Sequence, residues 1–244
     1  MRVKITLSYD GSRFAGFQIQ KETKDTVAQK IEDSFKSAGI ENRFVASGRT
    51  DKGVHATGQV LHIDLPSFWT DLDKLKNILN RSLLPHIYIK KIEKVQDTFH
   101  ARFDAKKRVY RYIVSTQKPS VFLTPYITYI NRDIDFMSIK NSIKEFEGRY
   151  DFEYFKKNGS DTKNFVRSIY RADCYMYKDF YVFYFEGDGF LRSQIRMMVD
   201  FLFKISEGKL SKNELKLQLQ KKKVFSTSLA PPQGLYLSKI KYGA

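Results

Sequence analysis

Cysteines, acids and long apolar runs are scarce in this chain, and each shortage closes off some chemistry. One cysteine in 244 residues, Cys174, excludes an internal disulfide and a cysteine-rich zinc site. It is expected as a small buried residue in a strand. The four histidines, at 55, 62, 86 and 100, lack metal-ligand spacing, so no metal is expected. No apolar run reaches the roughly 18 residues needed to span a bilayer. The N-terminal "MRVKITLSYDG" alternates like a strand and lacks the apolar stretch of a secretion signal. A cytoplasmic protein without membrane contact is therefore expected. There is no Walker loop, no paired-glycine dinucleotide fingerprint opening a helix and no nucleophile elbow. Zinc deaminase chemistry is excluded as well, since it needs a His/Cys/Cys set that one cysteine cannot supply.

What the chain has in excess is positive charge. Lysine and arginine total 43 against 27 acids, for a net charge of +16 and a pI near 9.7. Such a surplus attracts polyanions. Fifteen tyrosines and twenty phenylalanines lie partly among the basic residues, as in "RYDFEYFKKNG" and "KKRVYRYIV". Aromatic faces beside cations suit unstacked bases and phosphates, although alternating Tyr and Phe also fill strands.

Periodicity divides the chain into two halves of similar grammar. The first holds a strand at 2–9, a helix at 26–38, a strand at 60–65, a helix at 71–83 and a strand at 87–95. Thr26 with Gln29 predicts a capping box, and Gly39 ends that helix. The second half holds a strand at 108–116, a helix at 135–147, an aromatic and basic loop, and strands at 168–177 and 180–187. A helix at 190–206, a short one opened by Ser211 with Glu214, and a last strand at "GLYLSKIKY" complete it. The junction falls in "FDAKKR", giving units of 1–105 and 106–244. The predicted class is α+β, two similar α/β units sharing a central antiparallel sheet with flanking helices.

Between the first helix and the strand at 60–65 stands "ASGRTDKGVHATG", a polar entry with more charge than a turn requires. Asp51 is the acid best placed for chemistry. Arg49 lies two residues away, Lys52 is adjacent, and Gly48 and Gly53 let the backbone approach a ligand closely. An Asx-turn in a surface loop would use the same residues, so the composition alone leaves both readings open.

"SGRTDKGVHATGQV" resembles the motif of the TruA family of tRNA pseudouridine synthases. Further marks follow in the family's order. "YDGSRFAGFQIQ" is similar to its N-terminal stretch, with Phe17 where tryptophan is usual. "FHARFDAKKRVYRYIV" resembles the segment carrying Tyr-Arg-Tyr. "FEGRYDFEYF" looks like the Gly-x-His-Asp-Phe region, with Tyr150 for the histidine. "GFLRSQIRMMV" resembles the Phe-Leu-x-x-Met-Val-Arg helix, with Gln194-Ile195 for Met-Val. "APPQGLYL" matches the closing Gly-Leu-Tyr-Leu.

The resemblance implies an isomerase that converts uridines 38, 39 and 40 of the tRNA anticodon stem-loop to pseudouridine, without a cofactor, as a homodimer. It makes Asp51 the nucleophile, attacking ribose C1′ or base C6, a covalent route that splits one hard step into easier ones. The target base must be flipped out of its stack. Arg49 would fill the vacated space and hold phosphates. Tyr110 would stack on the uracil and help remove the C5 proton. Arg196 would pair with the nucleophile, although Asp200, four residues on where the family usually has glycine, offers it a local partner. Lys52 would face phosphate, and His55 would hydrogen-bond within the loop and fix its shape. Two rivals are a non-catalytic RNA-binding protein and a pseudouridine synthase acting on another RNA.

Overall fold

The computed structural model describes residues 1–159 and 163–243, and the chain folds as two compact units. Unit 1 is Met1–Lys106 together with the chain from Tyr236 onward, and unit 2 is Lys107–Leu235. The linear reading carried 106–244 as one piece. Residues from Tyr236 on instead belong to unit 1, where Tyr236 and Leu237 pair with His55 and Ala56.

In unit 1 the strands are β1 (Arg2–Tyr9), β2 (Val45–Ala46), β3 (His55–Asp64), β4 (Ile87–Lys94) and β10 (Leu235–Tyr242). β1 lies between β4 and β3, antiparallel to both, and β2 also pairs with β3. Strict alternation makes β1 a half-buried strand: Val3, Ile5, Leu7 and Tyr9 point into the core. β10 runs parallel to β3, against the expectation of a purely antiparallel sheet. It reaches β3 after a long excursion of the chain, so no hairpin dictates its direction.

Two helices complete this unit, α1 (Val27–Ser37) and α2 (Leu72–Leu83). Thr26 caps α1 by accepting the Gln29 amide, but the Gln29 side chain donates to Asp33, so only half of the expected capping box forms. Val27, Ile31 and Phe35 form the buried stripe of α1, and Leu75, Leu79 and Leu83 that of α2. The helices meet where the Ser34 and Ser82 hydroxyls lie 2.6 Å apart.

Unit 2 contains β5 (Ala105–Ser115), β6 (Thr128–Tyr129), α3 (Phe136–Ile143), β7 (Gly148–Asp151), β8 (Val166–Tyr177), β9 (Phe180–Gly187), α4 (Gln194–Ser206) and α5 (Lys212–Leu219). β5, β9, β8 and β7 form consecutive antiparallel neighbours, while β6 runs parallel to β5. The core is aromatic: Tyr112, Phe146, Phe152, Phe155, Phe183, Phe185 and Phe201 are fully buried. Cys174 lies in β8, and burial pushes its thiol up to about 12, so it stays an unreactive packing group. Ser211 and Glu214 form the complete capping box expected of α5. The fold class is the expected one, a mixed α/β arrangement of a central multi-strand sheet with flanking helices.

Three elements escaped the linear reading. β2 and β6 are two residues long, and β7 lies inside the stretch read as a loop. α4 begins at Gln194 instead of 190. Residues 190–193 form a turn in which Ser193 adopts φ 58° and the buried Gln194 side chain accepts the Leu191 amide at 2.8 Å.

Candidate active site

The loop of residues 47–54 in unit 1 is tied down residue by residue. Ser47 donates its amide to the Val60 carbonyl at 2.8 Å, and the Gln59 side chain donates to the Gly48 carbonyl at 2.9 Å. Thr50 is held twice. Its carbonyl accepts the Phe17 amide at 3.1 Å, and its buried hydroxyl lies 2.8 Å from that of Tyr9. Val54 then donates to the Asp51 carbonyl at 3.1 Å, closing a four-residue turn whose third residue, Gly53, has φ +77°. A type II turn places its third residue in that region, which favours glycine.

His55 fixes the far end. It is only 2% exposed, its Nδ1 accepts the Gly11 amide at 3.0 Å, and its ring stacks on Tyr236 at 4.8 Å. That gives it an internal, shape-holding place rather than a surface that RNA could touch. The chain at Gly11 passes so close that a Cβ there would sit 2.0 Å from the Val54 carbonyl oxygen. Only glycine allows β1 to deliver the following turn against the loop.

The ties fall on alternate parts of the motif. Ser47, Thr50, Val54 and His55 are buried, Arg49 and Lys52 are exposed, and Asp51 is half-buried between them. A flexible linker would not need a buried hydroxyl pair or a glycine-only approach. The arrangement presents one carboxylate, flanked by two cations, on a backbone with little freedom to move.

Phe17, the departure from the usual tryptophan, is 4% exposed and packs against Tyr9 and Phe44. Its tie to the loop is through its backbone amide, so the change of side chain leaves that bond intact. The sequence reading missed Tyr9, Gly11, Phe17, Gln59 and Tyr236 as supports of the loop. Only Tyr9 carried a signal, as a polar-tipped aromatic on the buried face of a strand.

In unit 2 Tyr110 and Tyr112 differ in burial and partners. Tyr112 is fully buried, with its hydroxyl 2.7 Å from Thr128 Oγ1 and donating to the Pro231 carbonyl at 2.8 Å. Burial pushes that hydroxyl far above its ordinary range. Tyr112 is therefore a core residue. Tyr110, two residues earlier on the same face of β5, is 9% exposed and meets Phe190 edge-on at 5.3 Å.

Arg196 stands in the first turn of α4, which contains no acid. A cation there adds to the positive end of the helix dipole, which makes this end attractive to an anion. Arg196 Nε donates to the Ala230 carbonyl at 2.7 Å, and the Ala230 amide donates back to the Arg196 carbonyl at 3.0 Å. Asp200, which the spacing offers Arg196 as a local alternative to Asp51, forms an ion pair with Lys204 at 3.0 Å. Acid preceding base by four residues is the better orientation on a helix. Tyr150 lies on β7 with its ring edge-on to Phe152 at 6.0 Å, a place in the aromatic packing of the unit.

Cations also lie over aromatic faces in this unit. Lys107 sits 4.9 Å from the ring of the half-exposed Tyr170, and Arg171 sits 5.1 Å from that of Tyr184. Among the described residues no group of His, Cys, Asp and Glu could hold a metal ion, and no helix is long and apolar enough to cross a membrane.

Comparison with known proteins shows the family. The family model described as tRNA pseudouridine synthase matches residues 5–104 and 142–243, which include Asp51 and Arg196. Proteins named tRNA pseudouridine synthase A are similar along nearly their whole length. The one from Campylobacter jejuni is 42% identical over 99% of this chain and 100% of its own. Those from Helicobacter hepaticus and Wolinella succinogenes are 40% and 41% identical, covering 98% and 97% of this chain and 98% and 92% of their own. Matched in both units and across the tied-down loop, the chain belongs to the tRNA pseudouridine synthase family and is an isomerase.

Proposed function

We propose that this enzyme converts uridine to pseudouridine in the anticodon stem-loop of tRNA, at positions 38, 39 and 40, with Asp51 as the nucleophile. The observation that carries the reading is the Asp51 loop, tied at Ser47, Thr50, Val54 and His55, with Arg49 and Lys52 exposed and Asp51 half-buried between them. A reaction that breaks and remakes a glycosidic bond needs one carboxylate held still against a base that has been moved.

The bonds balance without a cofactor. The Asp51 carboxylate attacks either ribose C1′ or base C6, and the bond between C1′ and N1 breaks. The uracil turns over and C5 bonds to C1′. The bond to the Asp51 oxygen breaks, at C1′ as C5 displaces it or at C6 by elimination, which returns the free carboxylate. The C5 proton leaves, and N1 gains a proton. Substrate and product are isomers, so no redox partner or hydrolytic water is consumed. Arg49 fills the space left by the flipped base and holds neighbouring phosphates, with Lys52 as a further phosphate contact. Tyr110 stacks on the uracil and assists loss of the C5 proton. Arg196 pairs with the nucleophile, since an opposite charge favours the ionised form of a carboxylate in a site with little water. We propose further that the enzyme acts in the cytoplasm as a homodimer, one tRNA bridging both subunits.

Asp51→Asn tests the assignment. It keeps size and most hydrogen bonding but removes the charge. The variant is expected to fold, to bind tRNA within about tenfold of wild type, and to make no detectable pseudouridine. Activity above about one per cent of wild type overturns the role of Asp51. Mapping of modified positions in tRNA from cells lacking the protein tests the positions: loss confined to 38–40 supports them, and loss elsewhere refutes them.

A further inference from the structure

Phe103 has an unusual position for a phenylalanine. It is 74% exposed, yet its backbone and one face are rigidly held. The turn from His100 to Asp104 closes on itself. The His100 amide donates to Asp104 Oδ2 at 2.8 Å, and the Asp104 amide donates to the His100 carbonyl at 3.0 Å. His100 Nδ1 faces the amides of Arg102 and Phe103 at 3.3 and 3.2 Å.

The turn is also fastened to the core beneath it. The Ala101 amide donates to Nδ1 of the buried His62 at 3.1 Å, and the Ala101 carbonyl accepts the Tyr242 hydroxyl at 2.7 Å. Burial lowers the affinity of His62 for a proton, which keeps the lone pair available for that bond. On this base the His100 ring stacks against Phe103 at 4.2 Å and 24°. One face of the phenylalanine is thus covered by an imidazole, with the Arg102 guanidinium 5.8 Å from the ring centre.

A flat aromatic surface supported from below, with a cation held over its ring at 5.8 Å, on a chain of net charge +16, matches what an unpaired nucleobase stacks on. A cleft of about 590 Å³ adjoins the turn, lined in part by Lys94, Gln96, Thr98 and Asp104. It gives room and polar groups for the nucleotide beyond the stacked base. We infer that Phe103 is a stacking platform for one unpaired base of the tRNA substrate, with Arg102 as its cationic neighbour. The inference rests on tRNA being the substrate. It adds a binding residue outside the chemistry of Asp51, Tyr110 and Arg196.

The test uses the full chain with an unmodified tRNA transcript, comparing Phe103→Ala and Phe103→Trp with wild type. Loss of one stacked base weakens binding about 5- to 150-fold. Phe103→Ala is expected to show a loss in that range, with turnover at saturating tRNA within about threefold of wild type. The dependence of log K on log salt should keep its slope, because stacking releases no counterions. Phe103→Trp should restore affinity to within about threefold, and its added fluorescence should be quenched by tRNA. Affinity of Phe103→Ala within twofold of wild type overturns the inference. So does failure of Phe103→Trp to recover binding. A fall in native mass accompanying the loss overturns it too, because Phe103 would then pack against a second copy of the chain. If wild type binds tRNA but forms no pseudouridine, the functional reading fails and the binding comparison still decides the role of Phe103.

Discussion

Asp51 and Arg196 are held in opposite ways. Asp51 sits on a loop with no regular structure of its own, positioned by partners distant in sequence, Tyr9, Gly11 and Phe17, and by Gln59 from the strand that follows. Arg196 sits on a helix that makes its own backbone bonds and buries Met198, Phe201, Leu202 and Ile205. The helix positions others, since its Arg196 ties down Ala230. The loop can therefore be displaced by changing a residue that never meets substrate. The helix can lose the Arg196 side chain and keep its shape.

Arg196→Met carries the largest expected effect that bears on this contrast. If the role proposed for Arg196 is right, turnover should fall at least ~100-fold, about 2.7 kcal/mol at the transition state. Because α4 is anchored by its apolar face it should stay folded, with the melting temperature lowered by several degrees at most as the buried Ala230 carbonyl loses the Arg196 bond, and tRNA affinity should stay within a few fold. A variant that loses stability in step with activity would show that the arginine is structural, and the contrast with the loop would collapse.

Tyr9→Phe sharpens the other side. It removes one hydroxyl from a buried pair and leaves Thr50 Oγ1 without that partner, which costs about 1–3 kcal/mol. The loop should loosen next to Asp51. We expect a lower melting temperature together with a turnover loss of roughly tenfold, from a side chain with no chemical role. Chemical denaturation and single-turnover assays on the same preparation measure both. Lower stability with unchanged turnover would mean that the loop keeps its geometry through its backbone bonds alone.

The same contrast explains what could be read from the sequence. Residues in regular elements announce themselves by period. The buried face of β1 and the stripes of α1 and α2 follow from alternation and from spacings of three and four. The loop has no period, and its candidate residues came from a short motif whose glycines and charges admit two readings. Most of its supports were illegible because they act between residues far apart along the chain, as Gly11 does on His55 across 44 residues. Where local signals conflict, the three-dimensional context decides. α4 starts late because the Gln194 side chain closes a turn over Leu191, and Thr26 forms half a box because Gln29 prefers Asp33. β10 leaves the second half because pairing with β3 is invisible from its own alternation.

Asp200→Ala carries the smallest expected effect and tests whether α4 distinguishes Arg196 from its neighbour one turn on. Asp200 accepts Lys204 at 3.0 Å, and Lys204 also donates to the hydroxyls of Ser226 and Ser228 at 2.7 and 2.9 Å. Asp200 therefore helps to orient a lysine that pins residues 226–228, two residues before the Ala230 held by Arg196. An exposed i,i+4 pair contributes about 0.3–0.5 kcal/mol. Partial burial, with side chains 19% and 26% exposed, places this pair at the upper end of that range. Loss of the acid leaves Lys204 with two hydroxyl partners, so the segment should stay in place. The expected result is a melting temperature lowered by a few degrees at most and turnover within about threefold of wild type. A folded Asp200→Ala protein with no activity, beside a mild Arg196→Met, would reverse the assignment and make the acid of this helix, rather than its arginine, the group the reaction depends on.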